Sequence, residues 1–250
     1  MSLKLIAIKP LNGCNNEHLK NLHFEQIYYF SQDYIIDSQR ISFTRSYPEN
    51  FFSNHVNIEI SAIVGKNGSG KSSLTNLLIK SVNNIFYLFK TQINEKHFHI
   101  TYFVKGVSAE IYYHLKNEIH DYIYKLIIED EKFTVELFNK ITGENYYLKD
   151  SEMEFNLVNF GKVFFYTEVI DYSIYSFNSK NEGDWIRHIF HKNDGYQTPI
   201  VLNPYRYEGN IDINSENELI YQRFLANIIR KDSDKQITEN LLVNKMILSL

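Results

Sequence analysis

Cysteine is nearly absent: Cys14 is the single one in 250 residues. That excludes an intrachain disulfide framework and suits a reducing compartment, with Cys14 as a structural thiol rather than a nucleophile. Long apolar runs are missing too. No stretch approaches the roughly 18 consecutive apolar residues that would cross a bilayer. The start of the chain has no apolar core behind basic residues, so no signal peptide is expected. Positive charge is not in surplus either: 26 Lys and Arg stand against 30 Asp and Glu, for a net charge of −4, and the isoelectric point is about 6.1. No large basic surface announces nucleic acid or an acidic membrane, although a local patch has enough Lys and Arg to form. Internal repeats, low-complexity tracts and long linkers are lacking, and no Ser/His/Asp or Cys/His set stands out. The expectation is a globular, cytoplasmic protein with no membrane association.

What is present begins with apolar content. At 44% hydrophobic and 22% charged residues the chain can bury a core. Its 19 Tyr and 18 Phe read mainly as core and strand residues. Leu3–Ile8 reads as a first strand. Phe24–Ile36 and Ile41–Thr44 suggest a hairpin or meander, with a turn near Gln39-Arg40, broken by Pro48-Glu49-Asn50. The run Val56–Val64 predicts another strand. From Lys71 the period changes: Leu74, Leu77, Leu78, Val82, Ile85, Phe86 and Phe89 recur at helical steps. Then β patterns return at His97–Val104, Glu110–Leu115, Asp121–Ile128, Lys132–Phe138, Glu154–Phe160 and Val163–Ile170. Asp184–Lys192 suggests a short helix, Ile200–Leu202 a short strand, and Ser215 with Glu218 a capping box that opens a helix. A last helix is expected from about Thr238.

Between the Val56–Val64 run and the helix lies Gly65-Lys66-Asn67-Gly68-Ser69-Gly70-Lys71-Ser72. It fits G-x-x-x-x-G-K-[ST], the phosphate-binding loop. Glycines let the backbone curl around a phosphate chain without Cβ clashes. Successive N–H groups then form an anion nest, and the following helix adds positive potential at its N-terminus. The pattern assigns Lys71 to the β- and γ-phosphates and Ser72 to Mg²⁺; Ser73 is placed to donate near the α-phosphate. ATP and Mg²⁺ are the implied ligands.

The longer string Ile63-Val64-Gly65-Lys66-Asn67-Gly68-Ser69-Gly70-Lys71-Ser72-Ser73-Leu74 resembles the ATP-binding cassette (ABC) superfamily, and Asn67 and Ser69 make it look more like soluble SMC and repair-type ATPases than transporters. The resemblance implies an α/β P-loop NTPase: an ABC first lobe over 1–180, with a mixed core sheet and an antiparallel β insert at about 97–170, and a mostly helical segment over 181–250. Phe164–Glu168, His191–Gln197 and Asn203–Arg206 through Gly209–Asn214 look like the PtuA-like ATPase of Septu antiphage systems, some of which sit in retron loci. The superfamily resemblance implies a homodimer or higher oligomer through the ATPase heads, and the Septu likeness implies an HNH nuclease partner and a possible link to a reverse transcriptase and its retron DNA. The departures are a missing Leu-Ser-Gly-Gly-like signature motif and a missing Walker B strand. They imply that the chain is the N-terminal part of a longer ATPase and hydrolyses ATP poorly by itself. An SMC-like DNA ATPase and a non-hydrolysing nucleotide-bound scaffold are the alternatives.

Other candidates are weaker. Lys125–Glu131 mimics a Walker B strand, but strands on both sides favour a hairpin with Glu129–Lys132 at its turn. Gln197 could be the γ-phosphate-sensing glutamine of such ATPases, with Thr167-Glu168 as a rival position. Arg45, Tyr47 and Phe51 are placed to stack on adenine, and Arg206 could contact phosphate or DNA; packing or a carboxylate partner explains each as well. His97/His99 and His188/His191 could each begin a metal site but lack a third placed ligand.

Overall fold

The computed structural model describes residues 2–46, 48, 59–93, 102–116, 121–129, 131–149, 167–172, 177–190, 199–206, 210–229, 236–238 and 241–242. Period-2 patterns build the strands. Ser2–Pro10 is β1, Tyr28–Tyr29 β2, Tyr34–Ile36 β3 and Arg40–Phe43 β4; after a long helix come β5 (Ala109–Lys116), β6 (Asp121–Glu129), β7 (Lys132–Thr142) and β8 (Asn145–Leu148). These eight form one sheet in the order β2-β1-β5-β6-β7-β8-β4-β3, and every pairing in it is antiparallel.

The sheet has to curl. Its edge strands, β2 and β3, are consecutive in the chain and joined only by residues 30–33. Eight flat strands would hold their edges about 34 Å apart, whereas that link reaches about 18 Å at most. The edges therefore approach each other: the Ile36 amide donates to the Tyr29 hydroxyl at 3.1 Å. A bulge at Leu5/Ala7 in β1 assists the bend, and the Ile6 carbonyl there accepts from Phe30 and Ser31 of the link.

Curling gives the sheet two apolar faces. Ile6, Ala7, Tyr34, Ile41, Tyr112, Ile123, Phe138 and Tyr146 fill one cluster. The other packs against α2 (Lys71–Ile93), a 23-residue helix. Leu77, Ile79, Val82 and Ile85 of α2 are fully buried against Ile8, Ile111, Leu126 and Ile128. The opposite side of α2 is covered as well, so its polar residues Asn76, Lys80, Ser81, Asn83 and Asn84 are also buried. Some find backbone partners there: Asn84 both donates to and accepts from Val104, at 2.7 and 2.9 Å.

Smaller elements complete the cover. These are α1 (Asn16–Leu19), α2's neighbour α3 (Ser179–Glu182), a 3₁₀ turn (Asp184–His188), and a parallel pair of β9 (Thr167–Ile170) with β10 (Ile200–Asn203). Trp185, Ile186, Ile189, Ile200 and Leu202 join the α2 core. α4 (Ile213–Ile229) exposes Ile220, Tyr221 and Phe224.

The expected α/β P-loop NTPase fold, an ABC-type first lobe with a mixed core sheet, is overturned. The main sheet is antiparallel throughout, and β9–β10 is the one parallel pairing among the described residues. Nor does a strand deliver the glycine-rich loop: residues 59–66 lie outside any strand, with Ile60 61% and Val64 86% exposed. The run is apolar and β-branched, but among the described residues no strand pairs with 59–64. Two smaller expectations also change. Asp212, not Ser215, caps α4, accepting from the Asn214 amide at 3.0 Å and the Ser215 hydroxyl at 2.7 Å. Of the helix expected from Thr238, the described residues lie instead in a small antiparallel pair of β11 (Gln236–Thr238) and β12 (Leu241–Leu242), and the rest of it lies outside the described residues.

Candidate phosphate-binding loop

The loop from Gly65 to Ser73 is curled rather than extended. Gly65 lies over Ser69 so closely that a Cβ on Gly65 would come within 2.6 Å of the Ser69 hydroxyl. Gly68 and Gly70 both take positive φ, +80° and +90°, a region that side chains disfavour. Helix α2 begins where the motif predicts, at Lys71, and the Leu74 amide makes its first backward bond, 2.8 Å to the Gly70 carbonyl.

Lys71 occupies the centre of this curl. Its ammonium donates to the carbonyls of Gly65 at 2.7 Å and Lys66 at 2.9 Å. An ammonium carries three donors, so one N–H remains for another acceptor. The Ser69 amide also points at the Lys66 carbonyl, at 3.2 Å. The amides of Gly70, Lys71, Ser72 and Ser73 meet no backbone acceptor among the described residues. They form the orphaned N-terminal turn of a long helix, where partial positive charge collects. Ser72 is exposed, and Ser73 is buried.

A second strip of chain supports the loop from beneath. The Asn21 side-chain amide donates to the Gly68 carbonyl at 2.8 Å. Asn21 and Leu22 also lie against Gly70: a Cβ there would come within 3.4 Å of a Leu22 methyl. Next to them, Lys20 pairs with Glu182 at 3.1 Å, and Glu182 pairs with Lys80 of α2 at 2.7 Å. His18 Nδ1 lies 3.2 Å from the Lys80 ammonium, while its Nε2 bonds the Lys105 carbonyl at 2.8 Å. Burial pushes the Lys80 pKa down, and Glu182 offsets only part of that. Burial acts upward on Glu182, but Lys80 and Lys20 outweigh it and hold the carboxyl below the usual range.

No family model, curated protein or solved structure matches this chain.

The remaining candidates fare as follows. Gln197 lies outside the described residues, as do Tyr47, Phe51, His97, His99 and His191. The Arg45 guanidinium sits over the Phe43 ring at 5.9 Å. Arg206 is 4% exposed, donates to the Asp171 carbonyl and lies over the Phe177 ring, so it is packed inside rather than presented to a ligand. Glu168 accepts from the Asn203 side chain across β9–β10. The Walker B mimic is a hairpin: Glu129 faces Lys132 across the β6–β7 turn. His188 packs on Tyr102, with ring centroids 5.1 Å apart. No group of three or more His, Cys, Asp or Glu residues able to hold a metal occurs among the described residues. Cys14 is buried, and burial raises its thiol pKa, which favours the inert form.

Sequence reasoning found the loop but missed Asn21. Nothing near residue 21 in the sequence marks it; its role follows only from the Gly68 contact.

Proposed function

We propose that residues 65–73 bind the triphosphate of ATP together with Mg²⁺. One observation carries the reading: the Lys71 ammonium sits in a curled glycine loop at the start of a 23-residue helix whose first amides meet no backbone acceptor among the described residues. That combination matches what a phosphate chain requires, a fixed cation ringed by N–H groups. The chemistry of Ser72 fits the metal. Its exposed hydroxyl stands at the second helical residue, where the motif's hydroxyl meets Mg²⁺. The metal neutralises phosphate charge when bound; Lys71 and the loop amides orient the phosphates.

The resemblance of the loop and of the 164–214 stretches extends the proposal. ATP then acts as a conformational switch that draws copies of the protein together. The setting is the cytoplasm, in an antiphage complex with an HNH nuclease and, in some loci, a reverse transcriptase with its retron DNA. Hydrolysis belongs to that assembly. These parts rest on sequence likeness and not on the fold.

A second reading, nucleotide binding without hydrolysis, is favoured by the hairpin at Glu129–Lys132, which removes the one Walker B candidate in the sequence. Titration of a fluorescent ATP analogue with Mg²⁺ tests the shared core of both readings. Wild-type protein should bind, and Lys71→Ala should abolish binding without lowering the melting temperature. Equal affinity in the two proteins rules the proposal out.

A further inference from the structure

We infer that Asn21 is the positioning residue of the phosphate cradle: it fixes the Gly68–Ser69 peptide so that the Ser69 amide faces the ligand. The inference rests on the proposed nucleotide site and adds to it a residue from a distant part of the chain.

Three observations support it. First, the Asn21 side-chain amide donates to the Gly68 carbonyl at 2.8 Å. In a trans peptide the C=O and the following N–H point in opposite directions. Holding the Gly68 oxygen toward Asn21 therefore aims the Ser69 N–H away from Asn21 and into the curl. There it meets the Lys66 carbonyl at 3.2 Å, the same oxygen that accepts from Lys71 at 2.9 Å. The Lys66 carbonyl thus gathers two donors on one side of the curl, and a phosphate oxygen entering there would compete with it for both.

Second, the peptide needs holding. Gly68 has φ +80° and nothing within 4 Å of where a Cβ would be. A flip of the Gly68–Ser69 peptide turns ψ of Gly68 and φ of Ser69, and on the Gly68 side no side chain or packed neighbour resists it. A flipped peptide would turn the Gly68 oxygen inward, against an anion. Asn21 is the described side chain that holds this carbonyl outward.

Third, Asn21 stands on a fixed base. The preceding residue, Lys20, takes an uncommon backbone shape, φ 50° and ψ −102°, at the end of α1. Its ammonium is pinned by Glu182 at 3.1 Å, and Glu182 is pinned by Lys80 of α2 at 2.7 Å. Lys80 lies about two and a half turns along the helix that starts at the loop. The latch and the loop it holds therefore share one anchor.

The experiment compares wild type with Asn21→Ala, Asn21→Asp and Asn21→Gln. Three quantities are measured: affinity for magnesium-bound ATPγS, melting temperature without nucleotide, and hydrogen exchange at the Ser69 amide. Alanine should weaken affinity about tenfold, the scale of one oriented hydrogen bond. Aspartate should weaken it more, because a carboxylate cannot donate to a carbonyl and repels phosphate. Glutamine, which keeps the donor, should restore part of the affinity. Melting should barely change, and Ser69 exchange should quicken in the alanine variant. Wild type that binds while all three variants bind equally well overturns the inference alone. So does an affinity loss that follows melting temperature with no recovery in the glutamine variant, or Ser69 exchange that stays unchanged. Wild type that ignores ATPγS overturns the phosphate site itself, and the Asn21 role with it.

Discussion

Lys80 and Glu182 meet at 2.7 Å in the interior, with side chains 4% and 10% exposed. One comes from the middle of α2 and the other from a four-residue helix about 100 positions later. Breaking one half of such a pair strands a charge away from water. Glu182→Ala should cost about 3–5 kcal/mol of stability. Adding Lys80→Met should recover much of that loss, because a thioether of similar length needs no partner. Urea unfolding of the two variants checks both. A double variant no more stable than the single one would show that the contact is not a buried charge pair.

Acid sensitivity should begin near neutrality. His18 and His114 are buried, and burial lowers both pKa values below the ordinary 6.5. His114 is enclosed by Tyr34, Tyr146, Phe43 and Asp121, the last at 2.7 Å from Nε2, with Lys116 and Lys140 nearby. Between the folded and unfolded values the unfolded chain holds more protons. The stability contributed is therefore complete above about pH 6.5 and is lost as pH falls. Glu182, with its depressed carboxyl, adds a second loss at pH values below the ordinary glutamate range. Denaturation midpoints from pH 8 to pH 2 should fall in two stages, and His18→Gln with His114→Gln should flatten the first.

Gly70 and Gly68 separate strain from crowding. Both have positive φ, but only Gly70 is close-packed, with a Leu22 methyl and Asn21 beneath it. Gly68→Ala should cost about 1–2 kcal/mol for the left-handed backbone. Gly70→Ala should cost more, because its φ of +90° lies further from the left-handed well near +57° and the new methyl is held at contact distance by Leu22 and Asn21. Thermal melting of the nucleotide-free proteins ranks them; the reverse order would mean that the loop rests on a different floor.

Ser72→Ala isolates the metal. Wild type should bind the ATP analogue more tightly with Mg²⁺ than with EDTA. The variant should lose that difference while keeping the EDTA affinity, because Lys71 and the loop amides are untouched. A Mg²⁺ effect of the same size in both proteins would remove Ser72 as its ligand.

The sequence made some of this legible, and the reason is local. The start of α2 at Lys71 follows from the loop motif and from apolar residues at helical spacing. Strands β5, β6 and β7 follow from alternation, and the hairpin at Glu129–Lys132 from charges between two such runs. What stayed hidden depends on partners far away. Pairing of β1 with β5 joins Leu3 to Leu115, and no local pattern encodes it. Burial of Asn83 and Asn84 depends on carbonyls at Tyr102 and Val104. The Val56–Val64 run has strand composition, yet composition cannot supply the neighbour that would pair with residues 59–64. At the candidate site the same division holds: Lys71 is written in the motif, whereas Asn21 is recruited by folding.

The curled sheet has a consequence for how the chain must be made. Residues 2–43 supply both rims, β2-β1 on one side and β4-β3 on the other, and β1 and β4 never pair directly. The span that joins them, β5 to β8, is synthesised some 65 residues after β4 ends. A nascent N-terminal third holds two margins tied only along residues 30–33, with the inner edges of β1 and β4 unpaired. The sheet closes only once residue 148 has emerged, and a fragment ending at residue 95 should show no cooperative unfolding transition.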